Sequence, residues 1–197
     1  QAKQRPSLTK STNTCDYTYI TIPKTKHNKE ILVGVYYRHC LNRKADIINF
    51  IDTLENSLDC NMIRKHKTVI TGDMNIDLCK VNHCIDVSTY FNCLLANNLE
   101  CHILKPSRIT HYPNSLHVKS ATLIDHIASN LHEYKCLSGN LFYDSSDHFP
   151  NFVIFEQFFA PTRYKVTQSV YTKRYLDKID HNQLVTDINS IDWYGDV

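Results

Sequence analysis

The chain has 197 residues, 42% of them apolar, and a net charge of only +2 at neutral pH: enough for one domain with a sizeable core, and too balanced to identify a polyanion-binding protein by charge alone. No apolar run approaches the roughly 18 residues that span a bilayer, and the first residues lack a signal peptide's positive-then-apolar opening, so a soluble intracellular chain with no membrane partner is expected. Eight cysteines, at 15, 40, 60, 79, 84, 93, 101 and 136, show no paired short spacing and read as reduced packing thiols.

Residues 1–15 are polar, rich in Lys, Ser and Thr, and without a strong period. The first thirty residues hold six Lys/Arg against Asp16 and Glu30. Because the chain opens at Gln1 in such a stretch, it reads as a piece of something longer. Residues 17–22 alternate as Tyr-Thr-Tyr-Ile-Thr-Ile and residues 30–37 are β-branched and aromatic; the polar stretch 24–29 between them predicts a hairpin. Over 43–58 the apolar positions Ile47, Ile48, Ile51, Leu54 and Leu58 recur at helical spacing. A short buried-type strand at 68–71 ends in Gly72, and a helix over 87–97 places Tyr90, Phe91, Leu94 and Leu95 on one face. After 99–104 come a Pro-containing loop and strands over 121–129, 135–143 and 151–159. Strands interleaved with helices predict a mixed α/β domain over 16–160. Residues 161–173 break the pattern as a linker, and a last helix over 176–191 ends near Trp193.

Three acidic and histidine signatures carry the chemistry. They are Thr71-Gly72-Asp73-Met74-Asn75, Leu123-Ile124-Asp125-His126 and Ser146-Asp147-His148-Phe149-Pro150, each at the border of an apolar run. Strand ends can converge such groups on one site. Phosphodiester hydrolysis needs a base for water, donors for the nonbridging oxygens and, as a rule, a divalent cation; Asp73, Asn75, Asp147 and His148 supply those types. Each motif also has a plainer reading. Gly-Asp-x-Asn can be a strand-to-turn junction, Asp125 a helix N-cap, and the Ser-Asp-His segment a turn with a surface histidine. A calcium loop starting at Asp73 fails at Leu78, where glycine is needed, and at Cys84, where glutamate is needed. Zinc drawn from Cys79, His83 and Cys84, or from Cys101 and His102, lacks a Cys-x-x-Cys anchor.

Taken together with Val33-Gly34-Val35-Tyr36-Tyr37-Arg38 and Ser107-Arg108-Ile109-Thr110, these segments resemble the endonuclease/exonuclease/phosphatase superfamily. More narrowly they are similar to the apurinic-type endonuclease domain of LINE-type non-LTR retrotransposons, over about residues 16–158. The resemblance implies a partial four-layer α/β sandwich, two mixed β-sheets packed face to face and flanked by helices, with its N-terminal strands missing. It implies Mg²⁺- (or Mn²⁺-) dependent nicking of DNA. Asp73 would orient or activate water, Asn75 would hold the scissile phosphate, and Tyr37 would hydrogen-bond phosphate. His148, oriented by Asp125, would stabilise the pentacovalent transition state, with Asp147 at the metal. Arg108, Thr110 and Thr122, with the loop through Lys119, would contact DNA. The tail, from Lys173-Arg174-Tyr175 to Ile191-Asp192-Trp193, resembles the segment leading to a reverse transcriptase, which makes that domain an expected partner and the nucleus the expected location. One departure stands out: the family's early Asn and its metal-binding Glu have no counterpart in the sixteen residues before Tyr17, so the cation site is expected to be incomplete and the chain alone to show little or no Mg²⁺-dependent nicking. Two alternatives stay open, a catalytically inactive nucleic-acid-binding remnant and a phosphatase or phosphodiesterase of the same superfamily.

Overall fold

The computed structural model describes residues 2–23, 30–39, 44–58, 66–112, 117–142 and 146–156, and single helical positions at 182, 183, 186 and 190. The chain divides into two compact units, Gln1–Thr162 and Arg163–Val197. The expected hairpin loop at 24–29 and linker at 161–173 lie outside the described residues, as does the last helix apart from those single positions.

Within the first unit the strands are β1 (Lys3–Gln4), β2 (Lys10–Ser11), β3 (Cys15–Ile22), β4 (Ile31–Arg38), β5 (Lys67–Asp73), β6 (Glu100–Cys101), β7 (Arg108–His111), β8 (Val118–Thr122), β9 (Asp125–Ser129), β10 (Cys136–Asn140) and β11 (Asn151–Phe155). Among the described residues two α-helices join them, α1 (Lys44–Leu58) and α2 (Ile85–Ala96). Seven strands form one mixed sheet ordered β1-β3-β4-β5-β9-β6, with β2 also paired to β3, while β7-β8 and β10-β11 form two-stranded sheets. The class is α/β, as expected. The predicted β3–β4 hairpin pairs antiparallel from Cys15↔Arg38 to Ile22↔Ile31. The β4–β5 pair is parallel, which requires the long crossover that α1 provides.

One face of the sheet meets the helices. β4 buries Leu32, Gly34, Tyr36 and Arg38 and turns Val35 and Tyr37 outward, the period-2 pattern of a strand with two unlike faces. Leu32 and Tyr36 pack with Tyr19, Ile70, and Phe50, Leu54 and Leu58 of α1. The expected faces hold, with Ile51, Leu54 and Leu58 of α1 and Tyr90 and Leu94 of α2 buried, but one position in each helix is corrected: Ile48 of α1 and Leu95 of α2 are half-exposed. To Tyr90 and Leu94 the buried stripe of α2 adds Val87 and Cys93, whose spacing keeps all four on one side of a 3.6-residue helix. At the other face Ile31, Val33 and Val69 pack with Leu131 and Phe155 of β11. Each of the six described cysteines is a free thiol.

Two further expectations are corrected. The continuous strand over 121–129 is broken at Leu123 and Ile124, because the Leu123 N–H donates to Asp77 Oδ1 (3.0 Å) and the Ile124 N–H to Ser107 Oγ (3.1 Å) instead of to a neighbouring strand. The loop expected before residue 121 contains the β7–β8 hairpin, paired from Arg108↔Thr122 to His111↔Val118 with a bulge at Thr110/His111. Polar, exposed residues such as Lys119 and Ser120 gave it no alternating apolar signal.

Alternation along β9 sends Asp125 to the outer face and His126 inward. His126 is 2% exposed, stacked on Tyr90 at 5.5 Å, with Nε2 3.1 Å from the Leu123 carbonyl and Nδ1 3.0 Å from the Tyr90 hydroxyl. The carbonyl can only accept, so Nε2 carries the proton and Nδ1 accepts from Tyr90. Burial pushes its pKa from 6.5 down to about 4. A histidine with a depressed folded pKa binds its proton in the unfolded chain first, so stability is lost as pH falls from about 6.5 towards 4, by about 3 kcal/mol in all. Urea unfolding at pH 7 and pH 4.5 should show this loss, and His126→Gln should flatten it while lowering stability at pH 7.

Candidate active site

Four strands bring one row of side chains to the same edge. Asp16 on β3 pairs with Tyr37 on β4, Tyr37 with Asp73 on β5, and Asp73 with Asp125 on β9. Cross-strand partners share a face, so the polar ends of three sequence motifs stand side by side. Gly72, just before Asp73, has φ +135° and faces Tyr36 across the β4–β5 pair.

The Ser-Asp-His turn is carried to this row by β7. The Ile109 N–H donates to the Asp147 carbonyl (2.9 Å), the Phe149 N–H to the Ser107 carbonyl (2.7 Å), and Arg108 bridges to His148. His148 Nδ1 thereby lies 3.0 and 3.2 Å from the two oxygens of Asp125. A carboxylate only accepts, so Nδ1 carries a proton, and Nε2 makes no hydrogen bond among the described residues. Asp125 is itself fixed. The fully buried Ser107 donates its hydroxyl to Asp125 Oδ2 (2.7 Å) and receives the N–H groups of Ile124 and Asp125 (3.1 and 2.9 Å). Asn151 Nδ2 donates to the Asp125 carbonyl (2.9 Å). Ser107 and Asn151 carried no functional assignment from the sequence; Ser107 stood in a quoted motif, but nothing local marks it as buried against a residue eighteen positions away.

Asp73, Asp125, Phe149, Pro150 and Asn151 line one cleft. Desolvation raises the Asp73 pKa above the ordinary carboxylate value; the Asn75 N–H on Asp73 Oδ1 (3.0 Å) opposes this, and the neighbouring Asp125 adds to it. A carboxylate so shifted is a better proton acceptor than an exposed one. Asn75 adopts φ +49° and uses its side-chain amide on the Arg38 carbonyl (2.8 Å).

Donor atoms of Asp73, Asp125 and His148 lie within 4.8 Å of one another, the spacing of a cation site. Both Asp125 oxygens are engaged by His148 and Ser107, and the third donor is a nitrogen, so among the described residues Asp73 Oδ2 is the uncommitted oxygen. That set fits a hydrated Mg²⁺ held through one carboxylate and completed by water and phosphate, not a cage of protein ligands.

The remaining expected residues surround the cleft. Tyr37 is half-exposed, its ring 5.7 Å from that of His39. Asp147 is paired with Arg108 Nε at 2.7 Å, which holds its carboxyl below the ordinary range. Thr110 shares a 2.7 Å hydrogen bond with Ser120 on the exposed hairpin, and Thr122 pairs in register with Arg108. None of Tyr37, Asn75, Arg108, Thr110, Thr122, Asp147 and His148 lines the Asp73–Asp125 cleft itself, His148 meeting it through its bond to Asp125.

No protein-family model and no curated protein sequence matches the chain. Solved structures do. The endonuclease domain of TRAS1, a telomere-specific non-LTR retrotransposon, superposes with a TM-score of 0.57 at 16% identity, over 79% of this chain and 68% of that one. The catalytic domain of Xenopus laevis APE2 gives 0.52 at 18% identity, over 76% and 57%. An inositol polyphosphate 5-phosphatase domain of SpSynaptojanin gives 0.50 at 13%, over 79% and 54%. The chain thus spans between 54 and 68% of these structures, and its fold is that of the endonuclease/exonuclease/phosphatase proteins. No helix among the described residues is long and apolar enough to cross a membrane.

Proposed function

We propose that this chain, on the endonuclease/exonuclease/phosphatase fold, carries the hydrolytic centre of a DNA endonuclease of the non-LTR retroelement type, nicking target DNA in the nucleus ahead of a reverse transcriptase. The observation that carries this reading is the Ser107–Asp125–His148 relay, anchored on the buried Ser107 and set beside the desolvated Asp73. Asp73 orients the attacking water, whose oxygen bonds to phosphorus as the P–O bond to the leaving strand breaks; the water gives its proton to solvent and the departing oxygen takes one from it. Asn75, with the second hydrogen of its amide, and Tyr37, with its hydroxyl, hold nonbridging oxygens of the scissile phosphate. His148 presents Nε2–H to the charge that builds on phosphorus, while Asp125 stabilises the imidazolium and fixes its plane. Mg²⁺ or Mn²⁺, when bound, supplies neutralisation of the phosphate charge; Asp73 Oδ2 would hold it, and so would Asp147 once released from Arg108. Arg108, Thr110 and Thr122 place the β7–β8 hairpin against the DNA backbone.

A single observation keeps the remnant reading in view: Asp73 Oδ2 is the uncommitted carboxylate oxygen at the centre among the described residues. The test offers the chain supercoiled plasmid and an inositol polyphosphate, each with Mg²⁺ and protein in excess. Slow plasmid nicking without phosphate release supports the endonuclease. Plasmid binding without nicking supports the remnant, and phosphate release supports a phosphatase.

A further inference from the structure

The turn that carries Asn75 is gripped from β4 by a buried guanidinium, and no step above uses it. Arg38, the last residue of β4, is 4% exposed. Its Nε donates to the Met74 carbonyl and its Nη2 to the Asn75 carbonyl, both at 2.6 Å, with Nη1 3.4 Å from the His39 carbonyl. The grip is reciprocal, because the Asn75 side-chain amide donates back to the Arg38 carbonyl at 2.8 Å. From the opposite side the Met74 N–H donates to the Ile124 carbonyl (2.9 Å) and the Met74 side chain is fully buried. Between these two anchors Asn75 is held at φ +49°, a left-handed conformation that most side chains avoid and that asparagine tolerates best.

We propose that Arg38 is a positioning residue: it fixes the left-handed turn at Asn75, and so aims the Asn75 amide at the substrate phosphate and seats the Asn75 N–H on Asp73. The inference rests on the endonuclease reading for its consequence, though not for its geometry. Two consecutive carbonyls turned towards one side chain require two donors at a fixed angle, which the planar guanidinium fork supplies. Lysine brings the same charge to one carbonyl at a time, so Arg38→Lys keeps a buried cation and loses the fork. The Asn75 peptide is then free to relax towards negative φ, which swings its side chain away from the Asp73–Asp125 row.

The experiment compares Arg38→Lys, Asn75→Ala and the double variant. In amide-resolved NMR of the 197-residue chain, Arg38→Lys is expected to abolish the slow exchange of the Asn75 side-chain amide and to shift the Met74 and Asn75 N–H signals. The β3–β4 and β5–β9 ladders should keep their protection. Unchanged Asn75 signals overturn the proposal, and so does loss of protection throughout the sheet, because the arginine would then serve the fold at large. This arm needs no activity, so it separates failure of the positioning role from failure of the endonuclease reading. In single-turnover nicking, Arg38→Lys should slow the rate by about 10- to 100-fold, with the half-saturating DNA concentration within about threefold. The double variant should be no slower than Asn75→Ala. Multiplying losses in the double variant would show that Arg38 does not act through Asn75.

Discussion

Gly72→Ala should remove about 4 kcal/mol of stability, a large part of the 5–15 kcal/mol that holds a typical domain together. A Cβ at this position would sit 1.8 Å from the Tyr36 carbonyl oxygen, and the contact is with backbone, so no rotamer change relieves it. At φ +135° an alanine is strained even in empty space. Relief requires β4 and β5 to separate at the Tyr36↔Gly72 pair, one residue from Asp73. Gly139→Ala is the control: its Cβ would meet only the Phe152 ring, at 3.3 Å, and its cost should stay within about 1 kcal/mol. Urea denaturation of the two variants measures the difference. Equal midpoints would mean that the strands do not approach as closely as described.

His148→Ala and Asp125→Ala should each slow single-turnover nicking by about a thousandfold, while plasmid binding changes by less than about fivefold. The magnitude follows from what the pair supplies, a histidine donor held in one orientation by a carboxylate that is itself fixed by Ser107. Because Asp125 acts through His148, the double variant should lose only a few-fold more than either single one. Losses that multiply towards a millionfold would separate the two residues into independent roles. Loss of binding in parallel with rate would make the pair a substrate contact and not a transition-state device.

Local pattern made part of this legible. The alternation of β3 and β4 and their polar connection gave the hairpin, and the short apolar strand ending in Gly72 located β5 and the turn after it. Along β9 the Asp125 side chain reaches His148, while His126 is buried against Tyr90. What could not be read is long-range. Ser107 meets Asp125 only because the β7–β8 hairpin folds back, and Arg38 meets Met74 across thirty-six residues of sequence through the β4–β5 crossover. Asp147 illustrates the limit differently. Residue type suits it to a cation, yet Arg108, brought beside it by the turn's pairing with β7, occupies its carboxylate.

The helical expectations held at most of the named positions and missed at one in each helix. Ile48 and Leu95 are apolar and sit within helices, but burial is decided by which stripe the sheet accepts, and Phe50, Leu54, Tyr90 and Leu94 fill it.

The central claim is that the Asp73 row, with the Asp125–His148 pair, hydrolyses a DNA phosphodiester. Its most direct test is single-turnover nicking of supercoiled plasmid by the wild-type chain and by Asp73→Ala, with Mg²⁺ and with EDTA. The account predicts slow nicking by the wild type in Mg²⁺, abolished by EDTA and reduced to background in Asp73→Ala. Nicking that survives Asp73→Ala, or a wild-type rate indistinguishable from background, would contradict it.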